Sequence, residues 1–250
     1  MIYFVFIATE FFTPIREAGY GMHLVMMNTK MADRIFGFLD SIEKEAKEEQ
    51  QELTPFSELT VSGLDFALAD RKLFEELSFK MKRGQILAIV GESGRGKTTL
   101  AKLLLGKRQV DRGSIFLGEK EIKSLSKSTI YQEVMYVSAN SVLLNASIIE
   151  NLQLAVDWSR GEIEGWLAEN GVLAFVRDLP QGLDTLVGEN GSQLSPGQRQ
   201  QIICVRAILA KRSLYLFDEV TSSVDKDNEA AIYDLLTLVA QDALVIEITH

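Results

Sequence analysis

The 250-residue sequence has few of the features that mark secreted or nucleic-acid-binding proteins. Its one cysteine, Cys204, has no second cysteine to pair with, so neither an internal disulfide nor an oxidising compartment is indicated. Acidic residues outnumber basic ones by 35 to 26, a net charge of −9. Proteins that bind a phosphate backbone are usually basic, so nucleic acid is not an expected partner. The 46% hydrophobic and 24% charged residues are typical of a globular chain.

Long hydrophobic runs are also scarce. The most apolar stretch, residues 1–15, contains Glu10 and is shorter than the roughly 20 residues of a self-sufficient transmembrane helix. It lacks the basic start and the small-residue cleavage site of a signal peptide. Two interpretations stay open: a buried helix or strand, or the cytoplasmic end of a membrane span.

The next segment predicts a helix followed by a linker. Apolar residues recur at spacings of three and four along residues 20–39, which predicts a helix face that packs in a core. The face consists of Leu24, Met27, Met31, Ile35 and Phe38. Residues 41–57 carry a charged run without an apolar stripe, and they contain Pro55. We therefore predict a solvated linker there, and a compact domain from residue 58 onward.

Short apolar runs alternate with helical patterns in the rest of the chain. A strand is predicted at 77–81, before a turn, and buried strands are predicted at 86–90, 214–217 and 243–249. The helical patterns cover 97–107, 196–211 and 226–241. Strands that alternate with helices predict an α/β fold with a parallel sheet and crossover connections.

Residues 91–99, GESGRGKTT, match the phosphate-loop pattern G-x-x-x-x-G-K-[ST] between a predicted strand and a predicted helix. The glycines let backbone N–H groups point at phosphate oxygens, and the helix start adds its positive dipole end. Lys97 is suited to the β- and γ-phosphates, and the Thr98 hydroxyl is suited to Mg²⁺. The predicted nucleotide-binding residues are Gly91, Glu92, Ser93, Gly94, Arg95, Gly96, Lys97, Thr98 and Thr99.

Two adjacent carboxylates end the predicted strand 214–217. Asp218 is suited to hold Mg²⁺ through water, and Glu219 is suited to polarise an attacking water as a general base. The alternative is an acidic cap for the following helix. His250 follows the last predicted strand, and in a parallel sheet it would reach the same edge, within range of a γ-phosphate.

The residues LSPGQ at 194–198 resemble the signature motif, usually LSGGQ, of ATP-binding cassette (ABC) ATPases. GESGRGKTT, LSPGQ, LYLFDE, SSVD at 222–225 and His250 follow one another in the order of that family. The resemblance covers residues 58–250. It implies a P-loop NTPase of the α/β class with a mostly parallel sheet and a helical subdomain at about 140–205. Cassettes of the family normally continue into further strands and a helix after the histidine motif, so we expect a truncated cassette.

The family resemblance also implies ligands and a partner. It implies an ATPase that uses ATP and Mg²⁺, and a second cassette, because two cassettes of this family enclose two ATP molecules between them. The signature residues of one cassette then contact the ATP held by the other, which assigns Ser195, Gly197 and Gln198 to nucleotide binding. Asp225 of SSVD belongs to the same group.

Three segments resemble parts of ABC exporters. TLVGENG at 185–191 is similar to the exporter loop that touches the membrane domain. Residues 10–23 and 31–40 look like the end of the last transmembrane helix and its cytoplasmic extension, most like the thiol-reductant exporters of cytochrome bd assembly. The implied protein is the C-terminal part of a half-transporter, with residues 1–40 reaching a membrane domain. Its cassette would lie on the cytoplasmic side of the cytoplasmic membrane and power export.

Three positions depart from the family pattern. Pro196 replaces a glycine, which removes one N–H donor; Ala139 replaces a glutamine that reaches Mg²⁺. Leu68 stands where an aromatic residue commonly stacks on adenine, unless Phe66 replaces it through a shift of register. We therefore expect a heterodimer with unequal sites, with a homodimer as the alternative.

Functions other than export are also compatible with parts of the sequence. A degenerate nucleotide-binding regulatory subunit with little or no turnover is the main alternative. The net charge and the N-terminal segment disfavour a soluble ABC ATPase that acts on DNA or ribosomes. The LSPGQ and SSVD motifs disfavour a P-loop kinase or GTPase.

Overall fold

The computed structural model describes residues 2–47, 52–68, 71–92 and 94–249. Within the first helix it describes the side chains of residues 12, 14 and 17–37. The chain divides into two units, Met1–Gln50 and Gln51–His250.

The first unit contains one long helix, α1 (Ile2–Lys47). The predicted helix over 20–39 is confirmed, but its predicted packing is wrong: Met27 is 56% exposed and Met31 is 65% exposed. A lone helix cannot bury a face without a second surface. The helix also continues through residues 41–47, which we had assigned to the linker, because glutamate, lysine and alanine are good helix formers. Within the described residues, no helix is both long and apolar enough to cross a membrane.

The second unit begins with an antiparallel sheet of four strands in the order β2-β1-β4-β5. The strands are β1 (Glu58–Leu68), β2 (Arg71–Lys82), β4 (Arg112–Leu117) and β5 (Lys120–Glu121). The sequence pattern predicted part of β2 and missed the sheet. Leu53 and Phe56 are buried with its core residues, so the packed unit starts before residue 58.

The second sheet is parallel, with the order β3-β8-β7-β6. Its strands are β3 (Ile86–Val90), β6 (Val134–Ser138), β7 (Leu214–Asp218) and β8 (Leu244–Thr249). The predicted parallel α/β architecture is therefore confirmed. β7 and β8 are buried as expected, but the prediction for β3 is wrong, because Ile86 is 42% and Val90 is 66% exposed. β3 lies at the edge of the sheet, and alternate side chains on this edge strand face outward.

The α-helices of this unit confirm the three predicted helical patterns and add three more. They are α2 (Lys97–Leu104), α3 (Lys127–Glu133), α4 (Ile148–Gln153), α5 (Arg160–Asn170), α6 (Pro196–Leu209) and α7 (Lys226–Ala240). Short 3₁₀ helices occupy Ile122–Ser124, Ala174–Asp178, Gly182–Asp184 and Glu189–Gly191.

The alternation of side chains along β7 divides the core in two. Leu214 and Leu216 pack with the antiparallel sheet and α2, whereas Tyr215 and Phe217 pack with α6 and α7. This division follows from the two-residue period of a strand. Cys204 lies fully buried in the second group, as its helical pattern predicts, and burial raises the pKa of its thiol to about 12.

A buried asparagine joins α4 to the loop before it. Asn151 is 0% exposed, and its Oδ1 accepts a hydrogen bond from the backbone N–H of Leu144 at 2.9 Å. Its Nδ2 donates to the carbonyl oxygens of Leu144 and Ser147, each at 3.0 Å.

We expect Asn151→Leu to lower the free energy of unfolding by about 2–4 kcal/mol, because it removes three hydrogen bonds and takes from the Leu144 N–H its acceptor. Urea denaturation measures the change. Asn145→Ala is the control, since Asn145 is an exposed side chain of the same loop. Equal urea midpoints for Asn151→Leu and the wild type would contradict the prediction.

Candidate functional site

The register of the parallel sheet places the predicted site residues along one edge. Thr249 pairs with Val90, Asp218 pairs with Ile248, and Ser138 pairs with Asp218. The strands run in one direction, so their carboxyl ends meet at this edge, where open α/β sheets bind ligands.

The phosphate loop follows β3 and ends at the start of α2. Gly94 and Gly96 have φ values of 78° and 95°, a left-handed conformation that favours glycine. Gly96 is the N-terminal cap of α2, and no side chain caps this helix. In contrast, a serine or aspartate side chain caps each of α3 to α7. The start of α2 thus combines the positive end of the helix dipole with the absence of a side-chain cap, as expected of a phosphate site.

Phe74 gives Gly96 a second reason to be glycine. A Cβ atom at residue 96 would lie 3.0 Å from Cζ of Phe74, so the ring packs directly on the phosphate loop. The sequence pattern does not reveal Phe74, because nothing in β2 links it to the loop that follows β3.

Two basic side chains of the loop bind groups of the loop itself. Lys97 is 8% exposed, and its ammonium group donates a hydrogen bond to the Gly91 carbonyl oxygen. Arg95 forms an exposed ion pair with Glu92 at 3.0 Å. Thr99 is half-buried in the first turn of α2, and Ser93 lies outside the described residues.

Asp218 connects the phosphate-loop helix to the sheet. Its carboxylate is 6% exposed, and Oδ2 accepts hydrogen bonds from the Thr98 hydroxyl at 3.2 Å and from the Tyr136 hydroxyl at 2.7 Å. The sequence analysis missed Tyr136. Among the described residues, the buried Oδ1 of Asp218 has no hydrogen-bond partner. A buried carboxylate oxygen of this kind is suited to a cation or its bound water.

Glu219 turns the chain sharply after β7. Its φ is 56°, uncommon for a residue with a side chain. Its N–H donates to the Ile248 carbonyl at 2.9 Å, and its own carbonyl accepts from the Ser222 hydroxyl at 2.9 Å. Neither Asp218 nor Glu219 caps α7, whose cap is Asp225, so the capping alternative for this pair is wrong. His250 lies outside the described residues, directly after Thr249.

The signature residues form the start of α6. Ser195 is its cap, with Ser195 Oγ accepting from the Gln198 N–H at 3.1 Å and Gln198 Oε1 accepting from the Ser195 N–H at 3.0 Å. Pro196 occupies the first turn, where its missing N–H does not disturb the helix. A hydroxyl that accepts one bond still has a hydrogen to donate, so Ser195 can bind a further oxygen.

Asn228 joins the signature helix to α7. A Cβ atom on Gly197 would lie 2.2 Å from Cγ of Asn228, so the two helix starts approach as closely as glycine allows. Asn228 Oδ1 accepts from Gln201 at 2.6 Å, and Asn228 Nδ2 donates to Asp225 at 2.7 Å. Asp225 and Gly197 thus belong to one contact group, and the sequence pattern did not reveal the asparagine between them.

The structure also places the residues at which the sequence departs from the family pattern. Ala139 donates its N–H to the Asp218 carbonyl at 3.2 Å and has no side-chain oxygen at the acidic edge. Phe66 is 6% exposed in the core, so the suggestion that it replaces Leu68 as a stacking residue is wrong. Leu68 itself is 44% exposed.

Comparison with known proteins points to one family. A family model described as "ABC transporter" matches residues 74–222. An uncharacterised ABC transporter ATP-binding protein of Haemophilus influenzae is 30% identical over 100% of this chain and 45% of its own length. An ATP-dependent lipid A-core flippase of Desulfotalea psychrophila is 31% identical over 96% of this chain and 42% of its own length.

A solved structure points to the same family as these relatives. A bacterial Atm1-family ABC exporter with ATP bound superposes with a TM-score of 0.71 at 31% identity, over 81% of this chain and 36% of the exporter chain. The present chain spans less than half the length of the relatives it matches.

Gly197→Ala is expected to lower the free energy of unfolding by about 1–3 kcal/mol, because the new methyl group would overlap Asn228 and separate α6 from α7. Gly165→Ala on α5 is the matched control: its added methyl group meets no atom within 4 Å. It should raise stability by about 0.5–1 kcal/mol through helix propensity. Urea midpoints test both changes, and an undiminished midpoint for Gly197→Ala would refute the packing argument.

Proposed function

The chain belongs to the ABC transporter family, and we propose that it is the nucleotide-binding part of an exporter that binds and hydrolyses ATP. The observation that carries this proposal is the 3.2 Å hydrogen bond between Thr98 and Asp218. It joins the helix of the phosphate loop to the acidic end of β7, with Glu219 as the next residue. Phosphate-binding and water-activating groups thereby meet at one sheet edge.

Each group at this edge has a chemical role in the proposal. The ammonium group of Lys97 exchanges its bond to the Gly91 carbonyl for the β- and γ-phosphate oxygens, and the uncapped start of α2 holds the phosphates through its N–H groups. Glu219 accepts a proton from the attacking water. His250, which lies outside the described residues, would contact the γ-phosphate.

The side chains also fit a magnesium ion. Asp218 has a buried carboxylate oxygen without a partner among the described residues, and Thr98 places a hydroxyl beside the same carboxylate. Both are hard oxygen ligands of the kind that Mg²⁺ prefers. Thr98 and Asp218 would hold the ion, which supplies positive charge to the phosphate oxygens.

Complete sites would need a second cassette. Ser195 and the N–H of Gly197 stand at a helix start, a suitable place for a γ-phosphate held by the partner's phosphate loop. Asp225 is tied to this helix start through Asn228, so closure of the pair would move both together. We favour a heterodimer with unequal sites, because Ala139 and Leu68 weaken the site on this chain's own phosphate loop, whereas Pro196 weakens the site on the partner's phosphate loop.

The surface proposed to meet a membrane domain is apolar and exposed. Leu144, Leu154 and Leu186 are 52%, 58% and 54% exposed. Leu186 pairs with Ser147, so the 185–191 loop is joined to the start of α4. In the assembled transporter the cassette lies on the cytoplasmic side of the cytoplasmic membrane, and residues 1–40 connect it to the membrane domain.

Two kinds of transported molecule follow from the resemblances. The likeness of residues 10–40 to thiol-reductant exporters supports a thiol such as cysteine or a thiol peptide. The relatives named as lipid A-core flippases support a lipid. We retain the thiol proposal on the N-terminal residues alone.

A regulatory subunit that closes on ATP without turnover is the second candidate. Ala139 favours it, since this residue offers no oxygen to the metal at the acidic edge. Leu68 favours it as well, because an exposed leucine provides no aromatic face for adenine.

We expect Glu219→Gln to lower ATP turnover at least about 100-fold while ATP still binds, because the amide cannot accept the proton of the attacking water. Phosphate release and the fluorescence of a labelled ATP analogue measure the two quantities. Glu169→Gln, on the exposed face of α5, is the control and should leave both unchanged.

The same assay separates the two candidates. Turnover per molecule that rises with protein concentration, and is lost in Glu219→Gln, would support an ATPase with composite sites. Such turnover by this chain alone would favour the homodimer. ATP binding without turnover at any concentration, even with a partner cassette added, would overturn the ATPase proposal in favour of the regulatory subunit.

A further inference from the structure

Tyr136 is the one side chain of β6 whose hydroxyl reaches the acidic end of β7 within the described residues. β6 and β7 pair in parallel, with Tyr136 opposite Leu216 and Ser138 opposite Asp218. From this position the Tyr136 hydroxyl donates a 2.7 Å hydrogen bond to Oδ2 of Asp218. That distance is normal for a well-formed O–H···O hydrogen bond.

The same carboxylate oxygen receives two donors. Thr98 donates to Oδ2 at 3.2 Å, from the phosphate-loop helix, while Tyr136 donates from the neighbouring strand. Two donors from different elements fix the rotation of the carboxylate about its χ angles. Oδ1, which is buried and has no partner among the described residues, then has one fixed direction.

The tyrosine is itself held in place. Its ring is half-buried, and the ammonium nitrogen of Lys107 lies 5.8 Å from the ring centroid. Lys107 lies at the same distance from Tyr131, which provides a comparison residue in the same surroundings.

We propose that Tyr136 is a positioning residue for the metal–nucleotide site, which acts by holding Asp218 with Oδ1 directed at the ion. This inference rests on the proposed function, because it requires that the chain binds ATP with a divalent cation. Tyr136 contacts neither the nucleotide nor the ion in this proposal. Tyr136 acts through the carboxylate of Asp218, so its loss should change the affinity for the metal.

The test is Tyr136→Phe in the full chain, with Tyr131→Phe as the matched control. The change removes one hydroxyl and keeps the ring beside Lys107. The measurement is the dissociation constant of Mn²⁺, followed by electron paramagnetic resonance, in the presence of a non-hydrolysable ATP analogue. We expect Tyr136→Phe to weaken Mn²⁺ binding about 5- to 10-fold, the effect of one lost hydrogen bond, and Tyr131→Phe to leave it unchanged.

Two further readouts separate positioning from a general loss of structure. The affinity for the ATP analogue without metal should be the same in Tyr136→Phe and the wild type. Turnover of Tyr136→Phe should recover when the Mg²⁺ concentration is raised. Equal Mn²⁺ affinities for Tyr136→Phe and the wild type would overturn the role of Tyr136 and leave the proposed function standing. Loss of metal-free nucleotide binding in Tyr136→Phe would overturn it in favour of a structural role.

A different result would refute the proposed function. If the wild-type chain bound no Mn²⁺ beyond that carried by the free nucleotide, then the metal–nucleotide site itself would be absent, and the role of Tyr136 would fall with it.

Discussion

The parallel pairing of β3, β8, β7 and β6 in one register is the constraint on which the rest of the second unit depends. It sends the carboxyl ends of four strands to one edge, so residues far apart in the chain become neighbours. Thr98 and Asp218 are separated by 120 residues and Tyr136 and Asp218 by 82, yet each pair forms a hydrogen bond. A slip of one residue in β7 would turn Asp218 to the other face of the sheet and break both contacts.

Among α2 to α7, the described α-helices of the second unit, α2 alone begins without a side-chain cap. A side-chain oxygen satisfies the first turn of each of α3 to α7, which suits helices whose role is packing. α2 begins at Gly96 without such a cap, and the positive end of its dipole suits phosphate. α6 combines both properties: its cap is closed by Ser195 and Gln198, and Gly197 brings it against Asn228. A movement of α7 would therefore be transmitted directly to the signature residues.

Local patterns predicted three of the four parallel strands, the helix over 20–39, three helices of the second unit and the phosphate loop, because each depends on residues close together in the chain; they missed β6. The same patterns failed where a second surface decides the outcome. The spacing of Met27 and Met31 predicts a buried helix face, yet both side chains are exposed in a unit that contains one helix. β3 reads as buried, but its position at the edge of the sheet exposes Ile86 and Val90. The sequence allows Phe66 to stack on adenine, but packing places its ring in the core.

The sequence by itself determined which chemical groups are present and in what order: a phosphate loop with Lys97 and Thr98, an acidic pair after a strand, and a capped LSPGQ helix start. These features depend on residue types at short spacing and on local backbone preferences, both of which can be inferred from the sequence. Only the tertiary structure decided that Tyr136 holds Asp218, that Phe74 packs on Gly96 and that Asn228 joins Gly197 to Asp225. Contacts between distant segments depend on strand order and register, and these are set by the packing of the whole unit rather than by any local pattern.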